Sequence, residues 1–450
     1  MASWLLSFNC CSTLGQTFQT IVTNGPASNR FNIVFLSEGY TSSQVSQFRA
    51  DVTNALTGLL SHSPYSEYSR YFNAFSISVA SAQSGSDHPA YGLTRNTYFN
   101  STYDPLSDYL ITIPTNGTGQ GKVNALLQSL MPNCHLAVLL VNDPASGGSD
   151  GFDKTAIASA GVTLPEILTH ETGHVLAGLG DEYTTAYPGF LDTEEPNTTR
   201  QTKLSAIKWN AWLGTNTPVP TPPAAEYISE VGLFEGAHYH TTTWYRPKFD
   251  CLMNHLGVPF CEVCSEALVL SLYHKVRPID SFVPSSMNQT ITSNAPLTFS
   301  VSLLQPETYS LNVQWSLDGQ SLPKEPKTNL VISPEYLTNG LHILTATVGD
   351  STPLVRTDPT NLLTQKVIWN INISIPQLKL DSPMVLPNGK FAFHITGFAP
   401  DGFALQMSTN FSYWTSISTN PLPNGESWLT NNSNTSDEPG KFFRAVTPRH

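Results

Sequence analysis

The chain has 450 residues, and its hydrophobic fraction of 40% is ample for two or three separate cores. It carries 22 basic and 34 acidic residues, a formal net charge of -12, without a cluster of lysine or arginine, so we expect no nucleic-acid surface. Because no apolar run approaches the roughly 18 to 20 residues that cross a bilayer, we also expect no membrane span.

The start of the chain gives little indication of targeting. Residues 1–11 lack a basic start and have only a brief apolar core, so they do not form a convincing signal peptide. The chain is nevertheless rich in Ser, Thr and Asn and poor in charge, which is common in secreted proteins. We therefore predict an extracellular protein, with residues 1–28 as a lead segment.

Residues 29–278 are predicted to form one domain of alternating strands and helices. Apolar runs at 32–36 and 136–141 predict strands, and the second run is apolar enough to be buried on both faces. The segment 72–80 alternates like a strand, and apolar residues recur at helical spacing from 45 to 60 behind a Thr-x-x-Gln capping box. This order predicts an α/β layer with a twisted sheet.

The stretch HETGH at 170–174 predicts a metal-binding helix. A capping box formed by Thr163 and Glu166 would open the helix, and glycines at 178 and 180 would end it. On a period of 3.6 residues, His170 and His174 share one face and can bind one zinc ion. Glu171 would then lie beside the open coordination position as the general base that activates water.

Catalytic zinc usually takes three protein ligands, so a third donor is required. Asp181 is the best-placed candidate if the glycines turn the chain back, as in an extended HExxHxxGxxH/D motif. It stands one residue later than that spacing requires. Glu182 is the alternative ligand, and a solvent-facing or helix-capping contact is the alternative role for either carboxylate. The predicted cofactor is one catalytic Zn²⁺.

Cysteines recur further along the chain, in CLMNH at 251–255 and FCEVC at 260–264. Cys251, His255, Cys261 and Cys264 could make a structural zinc site, since thiolates with one imidazole suit a tetrahedron. We favour a disulfide from Cys251 to Cys261 or Cys264, because oxidation is expected in a secreted protein. This disulfide would join the segment 251–255 to a helix that begins near Cys264.

These motifs resemble those of the IgA-peptidase family of metalloendopeptidases, M64. The resemblance covers roughly residues 20 to 278 through HETGHVLAGLGDEY, CLM, FCEVC, NIVFLSEGYT at 32–41 and shorter segments. It implies zinc-dependent peptide cleavage on a metzincin-like fold, in which Met253 matches the methionine turn under the metal. His255 occupies the place where some metzincins have an oxyanion-stabilising tyrosine. Asn197 and Glu235 match family positions, and we favour a structural role for both.

The irregular, Pro- and Thr-rich region 184–243 is predicted to supply cleft walls. Short alternating strands then predict an immunoglobulin-like sandwich over 279–376, with Trp315 in its core, and a small β module over 377–450. The predicted fold is thus an α/β metzincin-like zinc peptidase domain followed by an all-β immunoglobulin-like sandwich and a small C-terminal β module.

The function predicted from the sequence is a secreted zinc metalloendopeptidase that acts on protein or peptide substrates. Two alternatives remain open at this point. One is a non-catalytic adhesin or glycan-binding protein, in which the C-terminal β domains contact glycans or a cell surface. The other is a zinc amidase acting on cell-wall peptides by the same chemistry. Retention of Glu171 between both histidines favours an enzyme, because a scaffold would tolerate Gln or Ala there.

Overall fold

The computed structural model describes residues 11–13, 15–151, 153–323, 328–422, 424–434 and 440–447. The chain divides into two compact units. The first comprises residues 1–280, 303–312 and 348–365, and the second comprises residues 281–302, 313–347 and 366–450. The described part is rich in β-structure, with several sheets and four α-helices, none of them long and apolar enough to cross a membrane.

A nine-stranded sheet organises the first unit, in the order β1-β2-β4-β3-β7-β9-β8-β6-β5. Its strands are β1 (Cys11–Thr13), β2 (Gln16–Val22), β3 (Phe31–Glu38), β4 (Phe72–Val79), β5 (Thr102–Asp104), β6 (Ser107–Thr112), β7 (Leu136–Val141), β8 (Gly148–Ser149) and β9 (Thr155–Ser159). The central strands β4, β3, β7 and β9 run parallel. Strand β2, within the expected lead segment, pairs antiparallel with β4 and so belongs to this sheet.

Four helices accompany the sheet: α1 (Val45–Leu59), α2 (Gln120–Leu130), α3 (Leu164–Ala177) and α4 (Glu262–Lys275). Strand β7 shows how they are layered, because its six residues are all fully buried. Leu136, Val138 and Leu140 join the cluster that contains α1, α3 and α4. The alternate residues of β7 join the cluster that contains α2. Helices therefore cover both faces, as the continuous apolar run of β7 predicts.

The sequence located most of these elements but missed others. The predicted strands at 32–36, 72–80 and 136–141 are confirmed within about two residues, as is the capping box of Thr41 and Gln44 ahead of α1. Helix α2, strand β9 and the hairpin of β10 (Phe234–Ala237) and β11 (His240–Arg246) were not predicted. The hairpin gives order to the end of the region that we expected to be irregular.

The second unit consists of β-strands in four sheets. Their order is β12-β14-β17, β13-β19-β18-β15-β16, β20-β21-β24 and β23-β22-β25. The strands are β12 (Ile279–Val283), β13 (Asn288–Ile291), β14 (Leu297–Leu303), β15 (Asn312–Leu317), β16 (Gln320–Ser321), β17 (Asn329–Ile332), β18 (Gly340–Gly349), β19 (Thr364–Ile373), β20 (Lys379–Val385), β21 (Lys390–Thr396), β22 (Ala399–Ser408), β23 (Thr415–Leu422), β24 (Glu426–Asn434) and β25 (Phe442–Val446). Trp315 is buried and stacks on Trp369, with ring centroids 5.8 Å apart, as expected for a core aromatic.

Candidate metal centre

Helix α3 carries the predicted motif, and its ends fix where the following chain goes. Pro165 lies in the first turn, where its missing N–H costs nothing. The expected capping box is absent, because the Thr163 hydroxyl donates to Ser146 Oγ instead. At the other end Gly178 adopts the left-handed conformation, φ +60°, and its N–H bonds to the His174 carbonyl. This glycine reverses the chain toward the helix face that bears the histidines.

The two histidines of α3 point their Nε2 atoms at each other. These atoms are 3.1 Å apart. His170 Nδ1 lies 2.9 Å from the Leu252 carbonyl oxygen, and His174 Nδ1 lies 2.6 Å from the Leu179 carbonyl oxygen. Because a carbonyl can only accept, each Nδ1 carries a hydrogen, and each Nε2 faces the space between the two rings.

Asp181 completes this arrangement. Its Oδ1 is buried and lies 3.0 Å from His170 Nε2 and 3.4 Å from His174 Nε2, without the geometry of a hydrogen bond. Its Oδ2 accepts hydrogen bonds from the hydroxyls of Tyr183, at 2.9 Å, and Tyr239. The two phenols thereby turn Oδ1 toward the imidazoles. His170 Nε2, His174 Nε2 and Asp181 Oδ1 therefore converge on one point.

This donor set fits a zinc ion. Bonds of about 2.0 to 2.1 Å to a tetrahedral zinc place neighbouring ligand atoms about 3.3 Å apart. The three separations observed, 3.0, 3.1 and 3.4 Å, match that edge. Two imidazoles and one carboxylate also leave one tetrahedral position for water or substrate, as catalytic sites require.

The electrostatics of the centre favour a cation. Burial lowers the pKa of His174, but the Asp181 carboxylate outweighs that effect, and the pKa rises to about 10. Burial raises the pKa of Asp181, whereas the two histidines hold it well below its usual range. The carboxylate thus stabilises positive charge at the imidazoles, whether a proton or a metal ion supplies it.

Glu171 follows the first histidine and is 7% exposed. Burial raises its pKa to about 7, which suits a group that accepts and returns a proton near neutral pH. Gly148 of β8 lies against it, since a Cβ at Gly148 would stand 3.0 Å from Glu171 Oε1. The absence of a side chain at 148 leaves room for the carboxylate.

Met253 lies beneath the helix. It is fully buried, and its Sδ would be 3.1 Å from a Cβ placed on Gly173 of α3. The turn that carries Met253 also supplies the Leu252 carbonyl that holds His170. Met253 therefore forms part of an apolar floor.

A known protein family matches the part of the chain that carries this centre. The model of IgA Peptidase M64 matches residues 20–227 and 223–272, more than half of the chain. The chain belongs to the IgA peptidase M64 family. It is a family of peptidases. No curated protein matches the chain.

Solved structures resemble this M64 peptidase only distantly. An apo β-glucuronidase 3 of Bacteroides uniformis is 10% identical at a TM-score of 0.15, over 46% of this chain and 29% of that one. A chain of a chaperone–tip adhesin complex of CFA/I fimbriae biogenesis is 9% identical at a TM-score of 0.13, over 38% of this chain and 100% of that one. The chicken CNTN1 FN1-FN3 domains are 12% identical at a TM-score of 0.14, over 34% of this chain and 55% of that one. This chain spans less than a third of the β-glucuronidase.

The structure separates the two carboxylates that the sequence left as alternatives. Asp181 lies with the histidines, whereas Glu182 lies with Cys251, Cys261 and Cys264. His255, considered as a ligand or oxyanion donor in this M64 peptidase, is exposed and lies 2.9 Å from Asp250. It is absent from both groups of candidate ligands found among the described residues. Its neighbour Asp250 and its exposure are typical of a surface polar contact.

The favoured disulfide is not formed. Cys251 Sγ and Cys264 Sγ are 3.7 Å apart, far beyond the bond length of about 2.05 Å. Cys251, Cys261, Cys264 and Cys134 are all free and buried. Cys10 lies outside the described residues.

Several residues of the centre escaped the sequence prediction. Tyr183 follows Asp181 by two positions, and the DEY triplet was a local signal for it. Tyr239 is 58 positions from Asp181 and gave no local signal. Asn197, expected to be structural, donates to the Gly180 carbonyl and to Glu182 Oε1 and accepts from the Gly180 N–H. It therefore braces the segment that carries Asp181.

Proposed function

We propose that this M64 peptidase is a secreted zinc-dependent metalloendopeptidase. His170, His174 and Asp181 would bind one catalytic zinc ion, and Glu171 would act as the general base. The observation that carries the proposal is the convergence of His170 Nε2, His174 Nε2 and Asp181 Oδ1, three potential ligand atoms that lie 3.0, 3.1 and 3.4 Å from one another. Two imidazoles and one buried carboxylate at these separations suit a bound zinc ion.

The residues around the centre have distinct roles. When bound, zinc supplies a Lewis acid that polarises an amide carbonyl and makes water more acidic. The Glu171 carboxylate takes one proton from the attacking water and returns it to the nitrogen of the departing amine. Tyr183 and Tyr239 hold Asp181 Oδ1 in place, and the carbonyls of Leu252 and Leu179 hold the imidazoles.

The surrounding architecture is proposed on the same basis. The buried methionine under α3 and the reversal at Gly178 support a metzincin-like domain over about residues 29–278. Paired sheets around Trp315 and Trp369 support an immunoglobulin-like sandwich over 279–376, ahead of a small β module over 377–450. Composition supports secretion. Contact of the C-terminal β domains with glycans or a cell surface stays a prediction.

The test compares cleavage of casein by the wild-type chain and two charge-removing variants of α3. Glu171→Gln removes the base, and Glu166→Gln removes a carboxylate in the first turn of the same helix. We expect Glu171→Gln to lose about 10²- to 10⁴-fold in rate, the usual contribution of general acid–base catalysis. We expect Glu166→Gln to stay near wild type.

Zinc bound per chain is measured on the same samples and should be equal in all three. Full casein cleavage by Glu171→Gln at that zinc content would show that another group activates the water. Full cleavage by a His170→Ala/His174→Ala double variant would refute the metal centre itself. Absence of cleavage by the wild type on casein and on a library of peptides would favour the non-peptidase alternatives.

A further inference from the structure

Three cysteines and one glutamate form a second group of potential metal ligands in the first unit. Cys251 precedes the turn of Met253, Cys261 caps the N-terminus of α4, and Cys264 lies in the first turn of α4. The fourth member is Glu182. The four ligand atoms all lie within 4.8 Å of one another, and none of the four residues is more than 4% exposed.

The Glu182 carboxylate is not satisfied by hydrogen bonds. Its Oε1 accepts from Asn197 Nδ2 at 2.8 Å and from the Cys264 thiol at 3.3 Å. Its Oε2 is buried without any partner. A fully buried carboxylate has given up its hydration, so it stays ionised only beside a paired charge or a metal ion. A cation bound between the three thiols and this carboxylate would supply the missing partner of Oε2.

The sulfur positions match a metal–thiolate centre better than a disulfide. Cys251 Sγ and Cys264 Sγ are 3.7 Å apart. Two Zn–S bonds of about 2.3 Å in a tetrahedron place their sulfurs about 3.8 Å apart. A disulfide would leave the third thiol buried and unpaired, whereas one ion uses all three. The spacing Cys261-x-x-Cys264 is also the one common in structural zinc sites.

The surroundings would stabilise the negative charge of such ligands. The Cys261 N–H points at Cys251 Sγ, 3.3 Å away, and the Cys264 N–H points at Cys261 Sγ, 3.5 Å away. Both amides belong to the N-terminus of the 14-residue helix α4, which favours anionic groups. The Arg246 guanidinium interacts electrostatically with Glu182 and Cys251. It offsets part of the charge that three thiolates and a carboxylate leave around a divalent ion.

We propose that Cys251, Cys261, Cys264 and Glu182 bind a second, structural zinc ion. Soft thiolate ligands in a closed tetrahedral set select zinc over calcium or magnesium. The set leaves no open position and is shielded from water, so this ion has no part in hydrolysis. The Glu182 carboxylate takes the fourth place, which the sequence had suggested for His255.

This structural ion would also position the catalytic centre, a role that rests on the proposed function. Glu182 directly follows Asp181, and its N–H donates to the Met253 carbonyl at 2.8 Å. The same turn supplies Cys251 and the Leu252 carbonyl that orients His170. One ion would therefore join the segment of the third catalytic ligand, the methionine turn and α4.

The experiment measures zinc per chain by elemental mass spectrometry on the full chain. We expect two zinc ions in the wild type and one in a His170→Ala/His174→Ala double variant. Adding Cys261→Ser to that double variant should remove the remaining ion, whereas adding Cys134→Ser, another buried thiol, should not. Reconstituting the double variant with Co²⁺ should produce sulfur-to-cobalt charge-transfer absorption in the near ultraviolet. Adding Glu182→Gln should weaken zinc binding while the thiolate absorption persists.

The outcomes separate this proposal from the proposed function. One zinc in both the wild type and the double variant would support the cysteine site and count against the histidine site. No zinc and no thiolate absorption in the double variant would overturn the cysteine site, whatever the activity of the wild type. A disulfide that peptide mapping places between two of Cys251, Cys261 and Cys264, with an intact mass two hydrogens below the reduced chain, would overturn it. These measurements do not require the cysteine variants to fold.

Discussion

The hydroxyl of Tyr239 offers a test of how the catalytic ligand is held. It donates to Asp181 Oδ2, beside the second phenol, Tyr183, which donates at 2.9 Å. Tyr239→Phe removes that hydrogen bond and keeps the ring, which packs on Tyr183 with centroids 5.4 Å apart. The buried Asp181 carboxylate would then rely on one phenol to direct Oδ1 toward the histidines.

The size of the effect follows from this geometry. A hydrogen bond to a charged group contributes about 1.5 to 3 kcal/mol. Loss of a partner that orients a metal ligand typically weakens metal binding by about 10- to 100-fold, which is about 1.4 to 2.7 kcal/mol. The two ranges agree because the hydrogen bond acts mainly by holding Oδ1 in its binding orientation. We therefore expect Tyr239→Phe to bind the catalytic zinc about 10- to 100-fold more weakly.

The assay is casein cleavage in a series of zinc buffers, which gives the free zinc concentration for half-maximal activity. For Tyr239→Phe this midpoint should rise 10- to 100-fold, with the rate recovering at saturating zinc. Tyr187→Phe is the matched control, because Tyr187 packs near Tyr239 at 5.6 Å but is half exposed. An unchanged midpoint for Tyr239→Phe would refute the orienting role. A rate that stays low at saturating zinc would show instead that the phenol contacts substrate.

Two further predictions concern the base and the stability of the first unit. Gly148→Ala should lower casein cleavage with zinc content unchanged, because its Cβ would stand 2.6 Å from Ile167 Cγ2 and 3.0 Å from Glu171 Oε1 and would push the base aside. About 10²-fold, the cost of a misplacement of about an ångström, is the upper limit of the loss. Partial burial raises the pKa of Asp280, but hydrogen bonds from Arg30 and Asn29 outweigh it and hold the pKa below its usual value. A depressed folded pKa stabilises the protein above the unfolded value of about 3.9 and loses that effect as pH falls through the folded value. The melting temperature of the wild type should therefore exceed that of Asp280→Asn at pH 6, and the gap should narrow as the pH falls below the unfolded value of about 3.9; a constant gap would contradict the role of the ionised pair.

Local patterns were enough to locate much of the first unit. The apolar run at 136–141 predicted a strand buried on both faces, and β7 is that strand. The HETGH motif predicted two histidines on one face, and their Nε2 atoms are 3.1 Å apart. Such signals survive because the period of a helix or strand is set within a few residues. Helix α2 was missed since Gly119 and Gly121 at its start weaken the helical pattern, and β9 is a short segment, TAIAS, defined by its pairing with β7.

The sequence by itself determined the family, the pair of histidines with the glutamate between them, and two neighbouring carboxylates as candidates for the third ligand. Only the tertiary structure decided that Asp181 faces the histidines while Glu182 faces three cysteines, and that Tyr239 holds Asp181 from 58 positions away. The reason is physical. Asp181 and Glu182 follow the end of α3, where the backbone reverses at Gly178. The directions of their side chains depend on that reversal and on the parts of the chain that pack around them. Local spacing in the sequence encodes neither.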